Sequence, residues 1–163
     1  MFSINVVLFE PRIPQNTGNI ARTCAAVGAQ LHLIRPLGFR IDDRSLKRAG
    51  LDYWSLVEVQ YHEGIRAFLS AFPDGNHFFV TKKARKSYET ADYSGRVFLV
   101  FGKETEGLPQ DILKEYRERC VRLPMREEAR SLNLASAAAV VVYEAMRQNK
   151  FKGLQFEGNG NFE

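Results

Sequence analysis

The stretch INVVLFE, residues Ile4–Glu10, decides the fold class. It is an almost unbroken apolar run rich in β-branched residues, as a strand with helices on both faces requires. Five further short runs of this kind follow, at Leu31–Arg35, Val57–Tyr61, Phe78–Thr81, Arg96–Phe101 and Cys120–Leu123. The sequence therefore predicts a largely parallel sheet.

Helical candidates lie between several of these strands. Gly28 and Pro73 mark two of their ends, because glycine favours the position after a helix and proline cannot continue one. The candidates are Asn19–Val27, Arg44–Ala49, Gly64–Phe72, Pro109–Tyr116 and Ser131–Gln148. Strands alternating with helices predict a single α/β domain with a mostly parallel sheet between helices. We place this domain at residues 1–149 and a flexible Gly- and Asn-rich tail at residues 150–163.

Composition excludes several classes of protein. No apolar run approaches the ~18 residues that span a bilayer, and the start of the chain lacks the pattern of a secretory signal. Cys24 and Cys120 are far apart and the three histidines are scattered, so we expect buried thiols and no metal site. We expect a cytoplasmic protein without a membrane partner. The net charge of +4 permits a polyanionic partner without requiring one.

The helix after Ser131 has an unusual composition. Residues 134–142 read LASAAAVVV, in which only Ser136 is polar. A helix that is apolar on every side must be buried on every side. A small domain has little room to wrap such a helix, so the pattern favours a homodimer interface over an ordinary core helix.

Three segments are candidates for a binding site: NTGNIAR at Asn16–Arg22, FGKETEGLP at Phe101–Pro109, and LPM at 123–125 with SLNLA at 131–135. Ligands of open parallel sheets bind at the carboxyl ends of strands, where such loops gather, and Gly102 and Gly107 would let backbone approach a ligand. Helix capping and a tight turn explain the same residue types, so both interpretations stay open.

Individual side chains in these segments suggest roles. Arg22 lies one turn into an Ala-rich helix, where a guanidinium can grip a phosphate. Leu123 and Met125 can form an apolar wall for a flat ring. Ser131 either caps the long helix or binds a ligand. Asn133 sits in the first turn of an apolar helix, and because a buried Asn needs partners we interpret it as a positioning residue.

Basic residues form two further groups. The first comprises Arg35, Arg40, Arg44, Lys47 and Arg48, and the second Lys82, Lys83, Arg85 and Lys86. A charge run is usually a solvated face, but two runs on loops with Tyr88 nearby favour a phosphate-rich partner. The chain has neither the glycine fingerprint of dinucleotide-binding folds nor a Walker A lysine motif.

Taken in order, the three segments resemble the motifs of the SPOUT superfamily of RNA methyltransferases. They are most similar to the TrmL (YibK-like) branch, which 2′-O-methylates the wobble nucleotide of tRNA. The resemblance rests on NTGNIARTC at Asn16–Cys24, FGKETEGLP at Phe101–Pro109 and LPM…SLNLASAAAVVVYEA at Leu123–Ala145, and runs from Ile4 to Gln148. It implies a deep C-terminal trefoil knot, a homodimer and a pocket for S-adenosylmethionine, with no divalent metal.

The resemblance also assigns roles to residues. It implies a catalytic set of Arg22, Asn133 and Glu104, in which Arg22 grips a phosphate, orients the hydroxyl and relays its proton. A guanidinium keeps its proton at neutral pH, so Glu104 is an alternative base. The implied cofactor-binding residues are Val80, Thr81, Gly102, Leu108, Leu123, Met125 and Ser131. The implied RNA-binding residues are Asn16, Arg22, Lys82, Lys83, Arg85, Lys86 and Tyr143.

The implied function is S-adenosylmethionine-dependent 2′-O-methylation of the ribose at tRNA position 34, a cytidine or modified uridine in the anticodon loop. Two alternatives share the fold: methylation at another tRNA or rRNA position, and a non-catalytic RNA-binding dimer. A small nucleotide- or flavin-binding enzyme is a third, which the missing glycine fingerprint disfavours.

Overall fold

The computed structural model describes residues 1–41 and 51–160. Within these residues seven strands form one sheet. The strands are β1 (Ser3–Phe9), β2 (Gln30–Ile34), β3 (Val59–His62), β4 (Asn76–Val80), β5 (Lys86–Ser87), β6 (Arg96–Phe101) and β7 (Cys120–Arg122). The helices, numbered as described, are α1 (Pro14–Val27), α2 (Ile65–Ala71), α3 (Gln110–Glu115) and α4 (Leu134–Gln148). Short 3₁₀ helices cover Leu51–Leu56, Tyr88–Thr90 and Arg117–Arg119.

The strand order across the sheet is β3-β2-β1-β6-β4-β7-β5, and every pairing is parallel. The predicted segment Ile4–Glu10 forms the centre, where Val7 pairs with His32 on one side and Val100 on the other. Parallel pairing brings the carboxyl ends of all strands to one edge. The predicted α/β class and parallel sheet are confirmed.

Alternate residues of the strands point into two apolar layers. Val6 and Leu8 face α1 and α4, which pack with them through Ile20 and Val141. Val7 faces the opposite layer, where α2 and α3 bury Phe68 and Ile112. Helices therefore cover both faces of the sheet, as the continuous apolar composition of the strands predicts.

Helices α1 and α4 begin furthest from their predicted starts, whereas α2 and α3 begin one residue later than predicted. Helix α1 starts at Pro14 rather than Asn19, so the first motif forms helical turns instead of a loop. Proline is well suited to the first turn because its missing N–H has no partner there. Helix α4 starts at Leu134 rather than Ser131, because the Asn133 side chain caps it. Strand β5 was missed, since two residues give no periodic signal.

Two predictions fall wholly or partly on residues that the structure does not describe. The helix predicted at Arg44–Ala49 lies there, as do three members of the first basic group, Arg44, Lys47 and Arg48. Within the described ranges, no helix is long and apolar enough to span a bilayer. Both cysteines are buried free thiols, as predicted.

Helix α4 is not buried on every side within one chain. Val140 is 41% exposed and Tyr143 is 46% exposed, and Ser136 shares this face. The alternative of an ordinary core helix is therefore wrong for the single chain, and the homodimer interface stays a prediction. After α4, Phe151 and Leu154 pack against the layer formed with α1, whereas residues 155–160 are exposed.

Candidate functional site

A cavity of about 220 Å³ opens where β4, β6 and β7 end, beside the start of α4. Its walls are formed by the segments that follow these strands, because the carboxyl ends of parallel strands lie at one edge of the sheet. All the residues expected to bind a cofactor line this one cavity. They are Val80, Thr81, Gly102, Leu108, Leu123, Met125 and Ser131.

The loop after β6 is a tight hairpin that places backbone against the cavity. Lys103 and Gly107 exchange two backbone hydrogen bonds of 3.2 and 3.0 Å. Gly107 has a left-handed φ of 72°, a conformation that favours glycine. A Cβ atom at Gly102 would collide with the backbone of Gly107 and Leu108. Glycine at position 102 is thus required by the fold of the loop that forms the cavity wall.

Apolar side chains form a large part of the cavity wall, together with polar and charged residues. Val80, Leu108, Leu123 and Met125 supply hydrocarbon surface, which suits a flat ring. Ser131 is exposed at the rim and does not cap α4. Sequence reasoning missed other lining residues, such as Leu132 and Ala137, because an apolar residue gives no signal of the cavity it faces.

A polar chain joins the three motif segments beside this cavity. The Glu104 carboxylate accepts backbone N–H bonds from Arg12 at 3.0 Å and Ile13 at 2.9 Å, and a side-chain bond from Asn16 at 3.4 Å. Asn133 donates from Nδ2 to Asn16 Oδ1 at 3.0 Å. We call Glu104, Asn16 and Asn133 the strand-end network.

Each end of this network caps a helix. The Asn133 side-chain oxygen accepts from the N–H groups of Ala135 at 2.9 Å and Ser136 at 3.3 Å. Ile13 precedes α1 and its side chain cannot cap the helix. The Glu104 carboxylate, from the loop after β6, instead accepts hydrogen bonds from the backbone N–H groups of Arg12 and Ile13. The sequence predicts a buried Asn133, and this is wrong because its side chain is exposed. Its hydrogen bonds to Asn16 and to the start of α4 are nevertheless those of a positioning residue.

Ion pairs add a second link between the loops after β1 and β6. Lys103 lies 2.7 Å from Glu10, and the Lys103 side chain is only 15% exposed. Arg12 lies 3.6 Å from Glu106. Hydrogen bonding to Glu10 is the main cause that raises the pKa of Lys103, so the ammonium stays charged in this contact. These contacts hold the Gly102–Gly107 hairpin against the start of α1.

Arg22 lies apart from the cavity within one chain. Its side chain is exposed, and its guanidinium carbon is 4.8 Å from the centre of the Tyr53 ring. It is absent from the residues that line the cavity. The structure therefore brings Asn16, Glu104 and Asn133 together and leaves Arg22 outside that group.

The residues expected to bind RNA are distributed around the site. Lys82 and Lys83 are exposed on the wall of the cavity. Arg85 and Lys86 are exposed next to them, and Tyr143 is exposed on α4. Asn16 is 5% exposed, which suits a link between motifs better than a contact with RNA. Within the described residues no three His, Cys, Asp or Glu side chains are grouped as a metal site requires.

Comparison with known proteins identifies the family of this chain. Residues 3–143 match the model of the SpoU rRNA Methylase family. The chain belongs to that family. The match confirms the resemblance drawn from the three motifs, and it covers the whole sheet and the cavity. The SpoU family consists of methyltransferases, so the cavity at the strand ends is the candidate active site of an enzyme.

Relatives of this SpoU-family chain are similar over nearly their full length. A Bacillus subtilis (strain 168) protein with the provisional name tRNA (cytidine(34)-2′-O)-methyltransferase is 51% identical over 156 residues, which is 94% of this chain and 98% of that protein. A solved structure from work on 2-OH methylation of C/U34 on tRNA is 44% identical, with a TM-score of 0.87, and covers 91% and 97% of the two chains.

A more distant SpoU-type structure contains the cofactor. It is an AdoMet-bound rRNA methyltransferase from Sinorhizobium meliloti, which is 28% identical with a TM-score of 0.81. The alignment covers 89% of this chain and 56% of that one. Methyltransferases of this family use S-adenosylmethionine as the methyl donor.

Proposed function

We propose that this chain transfers a methyl group from S-adenosylmethionine to the ribose 2′-hydroxyl of tRNA nucleotide 34, a cytidine or modified uridine. The supporting observation is the single cavity at the carboxyl ends of β4, β6 and β7, which is lined by all the residues expected to bind the cofactor. The full-length similarity to relatives named for this reaction supports the choice of substrate.

The residues of the cavity fit this cofactor. Leu108, Leu123 and Met125 offer apolar surface to an adenine ring, and the missing side chain at Gly102 keeps backbone at the wall. The volume of about 220 Å³ lies a little below the usual range of ligand pockets, and the cavity is open to solvent on one side. When bound here, the cofactor supplies an activated methyl group on a sulfonium.

The chain's own residues position the ribose and manage its proton. When the 2′-oxygen bonds to the methyl carbon, the carbon–sulfur bond breaks with its electron pair left on sulfur, and the hydroxyl proton passes by way of Arg22 to solvent water. We assign Arg22 to hold the phosphate next to this ribose and to orient the hydroxyl. The three hydrogen bonds that Glu104 accepts favour a positioning role for it over that of the base.

We propose that the enzyme works as a homodimer. The uncovered face of α4 exposes Val140 and Tyr143, and a second copy of the chain would cover these two side chains. Arg22 lies outside the cavity of its own chain. In a dimer, RNA bound across both copies would bring a phosphate to Arg22 while the adjoining ribose lies at the cavity. Tyr143 would then stack on or hydrogen-bond to an unstacked base.

The remaining contacts with tRNA fall to basic side chains. Lys82, Lys83, Arg85 and Lys86 are exposed around the cavity and suit the phosphates of an anticodon loop, whose unstacked nucleotides are accessible. We expect the enzyme to act in the cytoplasm, with its tRNA substrate. The trefoil knot and the division into residues 1–149 and a tail 150–163 stay part of this proposal.

The deciding experiment compares the protein with its Arg22→Ala variant in a radiolabelled-methyl assay on tRNA. We expect the variant to lose methyl transfer while its affinity for S-adenosylmethionine is nearly unchanged. Arg22→Lys is the matched control, because it keeps the charge but not the two-pronged grip on a phosphate. Equal activity of the Ala variant and the parent would remove Arg22 from the mechanism.

Nucleoside mass spectrometry of tRNA from cells with and without the gene identifies the substrate. We expect a 2′-O-methylated nucleoside of position 34 to disappear in the deletion strain. Loss of a methylated nucleoside elsewhere in tRNA or rRNA would support the alternative substrate. An unaltered set of nucleosides would favour a non-catalytic RNA-binding dimer.

A further inference from the structure

A second concave surface of about 470 Å³ adjoins the cavity. It lies between the segment that leads from β4 into β5 and the helical stretch of α3 and Arg117–Arg119. We call it the basic groove. Its basic side chains are Lys83, Arg85, Lys86, Lys114 and Arg117. The acidic side chain among its lining residues is Glu118.

The positive charges of the basic groove exceed its negative charge and form no ion pairs within the described part of the chain. There, none of the groove's five basic side chains takes part in an ion pair or a side-chain hydrogen bond. The acids of α3 are engaged elsewhere, because Arg66 of α2 lies 2.9 Å from Asp111 and 2.5 Å from Glu115. Lys114 is left without either partner.

The groove and the cavity share part of one wall. Thr81, Lys83 and Leu113 line both of them. A polymer that presents one unit to the cavity would therefore place its neighbouring units in or near the groove. Concave surfaces lined by one sign of charge concentrate ligands of the opposite sign.

A third hollow, around residues 122–130, is less suited to an anion. It is lined by Lys82, Arg122 and other basic residues, but also by Glu127 and Glu128. Arg126 is partly neutralised by Glu128 at 3.9 Å. The excess of positive charge is thus larger in the basic groove.

We propose that the basic groove binds backbone phosphates of the RNA strand next to the nucleotide being methylated, with Lys114 and Arg117 as contacts on the wall opposite Lys83. A guanidinium and ammonium groups around one hollow match successive phosphodiesters. The proposal rests on the proposed function for the identity of the RNA. The proposal adds Lys114 and Arg117 to the RNA-binding residues predicted at residues 82–86.

The test uses the double variant Lys114→Gln/Arg117→Gln and the full-length protein. Binding of a fluorescent anticodon stem-loop RNA is measured by anisotropy at several KCl concentrations. We expect weaker binding, and a plot of log K against log salt whose slope is smaller by about 1.4, at about 0.7 for each lost contact with single-stranded RNA. In the methylation assay KM for RNA should rise while kcat stays the same.

The matched control is Lys150→Gln/Lys152→Gln, which removes the same charge from exposed residues that do not line the groove. Its salt slope should equal that of the parent. The single variants Lys114→Gln and Arg117→Gln should each give about half the change in slope. Thermal unfolding and affinity for S-adenosylmethionine should be unchanged in all of them.

Two outcomes would overturn the proposal. One is a salt slope equal to that of the control. The other concerns inorganic pyrophosphate, whose binding to the parent and to the double variant is measured separately. If the double variant binds RNA as the parent does but no longer binds pyrophosphate, the groove is a site for a small phosphate compound. Failure of the parent protein to methylate any tRNA would instead refute the proposed function. The change in the salt slope of RNA binding would still show whether the groove binds RNA.

Discussion

Two hydrogen-bonded polar networks connect distant parts of this chain, and they lie in different surroundings. The strand-end network of Glu104, Asn16 and Asn133 borders an open cavity. A second network, of Asn5, His32 and His62, lies among β1, β2 and β3. We call this one the histidine network.

The geometry of the histidine network fixes its proton positions. His32 Nε2 lies 3.2 Å from Asn5 Oδ1, and Asn5 Nδ2 donates to the Val97 carbonyl at 2.9 Å. An amide oxygen can only accept, so His32 Nε2 carries a proton. His32 Nδ1, 3.0 Å from His62 Nε2, then accepts a hydrogen bond from His62.

Surroundings decide what each network can do. His32 is fully buried, and its ring contacts Phe68, Phe72 and Phe98 at 5.4–5.7 Å between centres. No substrate can reach its ring, so we expect it to stabilise the fold. The strand-end network sits where the loops of the second and third motifs meet the first turns of α1 beside a cavity, so the same kind of hydrogen bonds can position a substrate. We therefore expect changes there to affect activity, and changes in the histidine network to affect stability.

The largest effect on the strand-end side is expected from Gly102→Ala. The added methyl would collide with the Gly107 and Leu108 backbone, so the hairpin must move into or away from the cavity. We expect methyl transfer to fall at least about thousandfold, equivalent to about 4 kcal/mol, with loss of cofactor affinity measured by calorimetry. The control is Gly64→Ala, where the methyl meets no atom within 4 Å. Cofactor affinity equal to that of the control would contradict the assigned cavity.

On the other side of the comparison, His32→Ala should lower the free energy of unfolding by about 3 kcal/mol. It leaves a buried void and removes the partner of Asn5 and His62. Urea unfolding measures the loss, and methyl transfer per folded molecule should be unchanged. A specific loss of activity in the folded fraction would show that the two regions are coupled.

Glu104→Gln tests the strand-end network itself. The amide keeps one acceptor oxygen, but its NH₂ group faces the N–H donor of either Arg12 or Ile13, so the start of α1 must shift. We expect about a hundredfold loss of methyl transfer, or about 2.7 kcal/mol. Glu63→Gln breaks an exposed ion pair with Arg35 and should change little. If both variants kept full activity, the network would serve only the fold.

The smallest expected effect is a dependence of stability on pH. Burial, followed by the charges of His62 and Arg96, lowers the pKa of His32 from 6.5 to about 4. The unfolded chain therefore takes up this proton near pH 6.5 and the folded chain only near pH 4, so acid favours unfolding. We expect the free energy of unfolding to fall by about 2 kcal/mol from pH 7 to pH 5.

The pH experiment has its own control in His32→Ala, whose unfolding free energy should vary less between pH 7 and pH 5. Burial also lowers the pKa of His62 and His77, so a smaller slope in the same direction should remain. An unchanged slope in the variant would assign the acid sensitivity to other groups.

Local patterns in the sequence were sufficient for much of the fold. The apolar run at Ile4–Glu10 and its successors predict buried parallel strands, because a strand covered on both faces has no polar side. Gly28 predicts the end of α1, where it takes a left-handed φ of 71°. The second and third motifs also indicated which loops gather at one cavity, since strand ends meet at one edge, whereas no residue of the first motif lines it.

Only the tertiary structure decided which side chains meet. Glu104 caps a helix about 90 residues earlier in the chain, and no local pattern encodes a cap supplied from another loop. Lys114 lines the basic groove without an acidic partner because Arg66 engages Asp111 and Glu115. Residue type and spacing specify helices and strands, because those depend on neighbours along the chain. Partners across the sheet depend on register and packing, which exist only once the chain has folded.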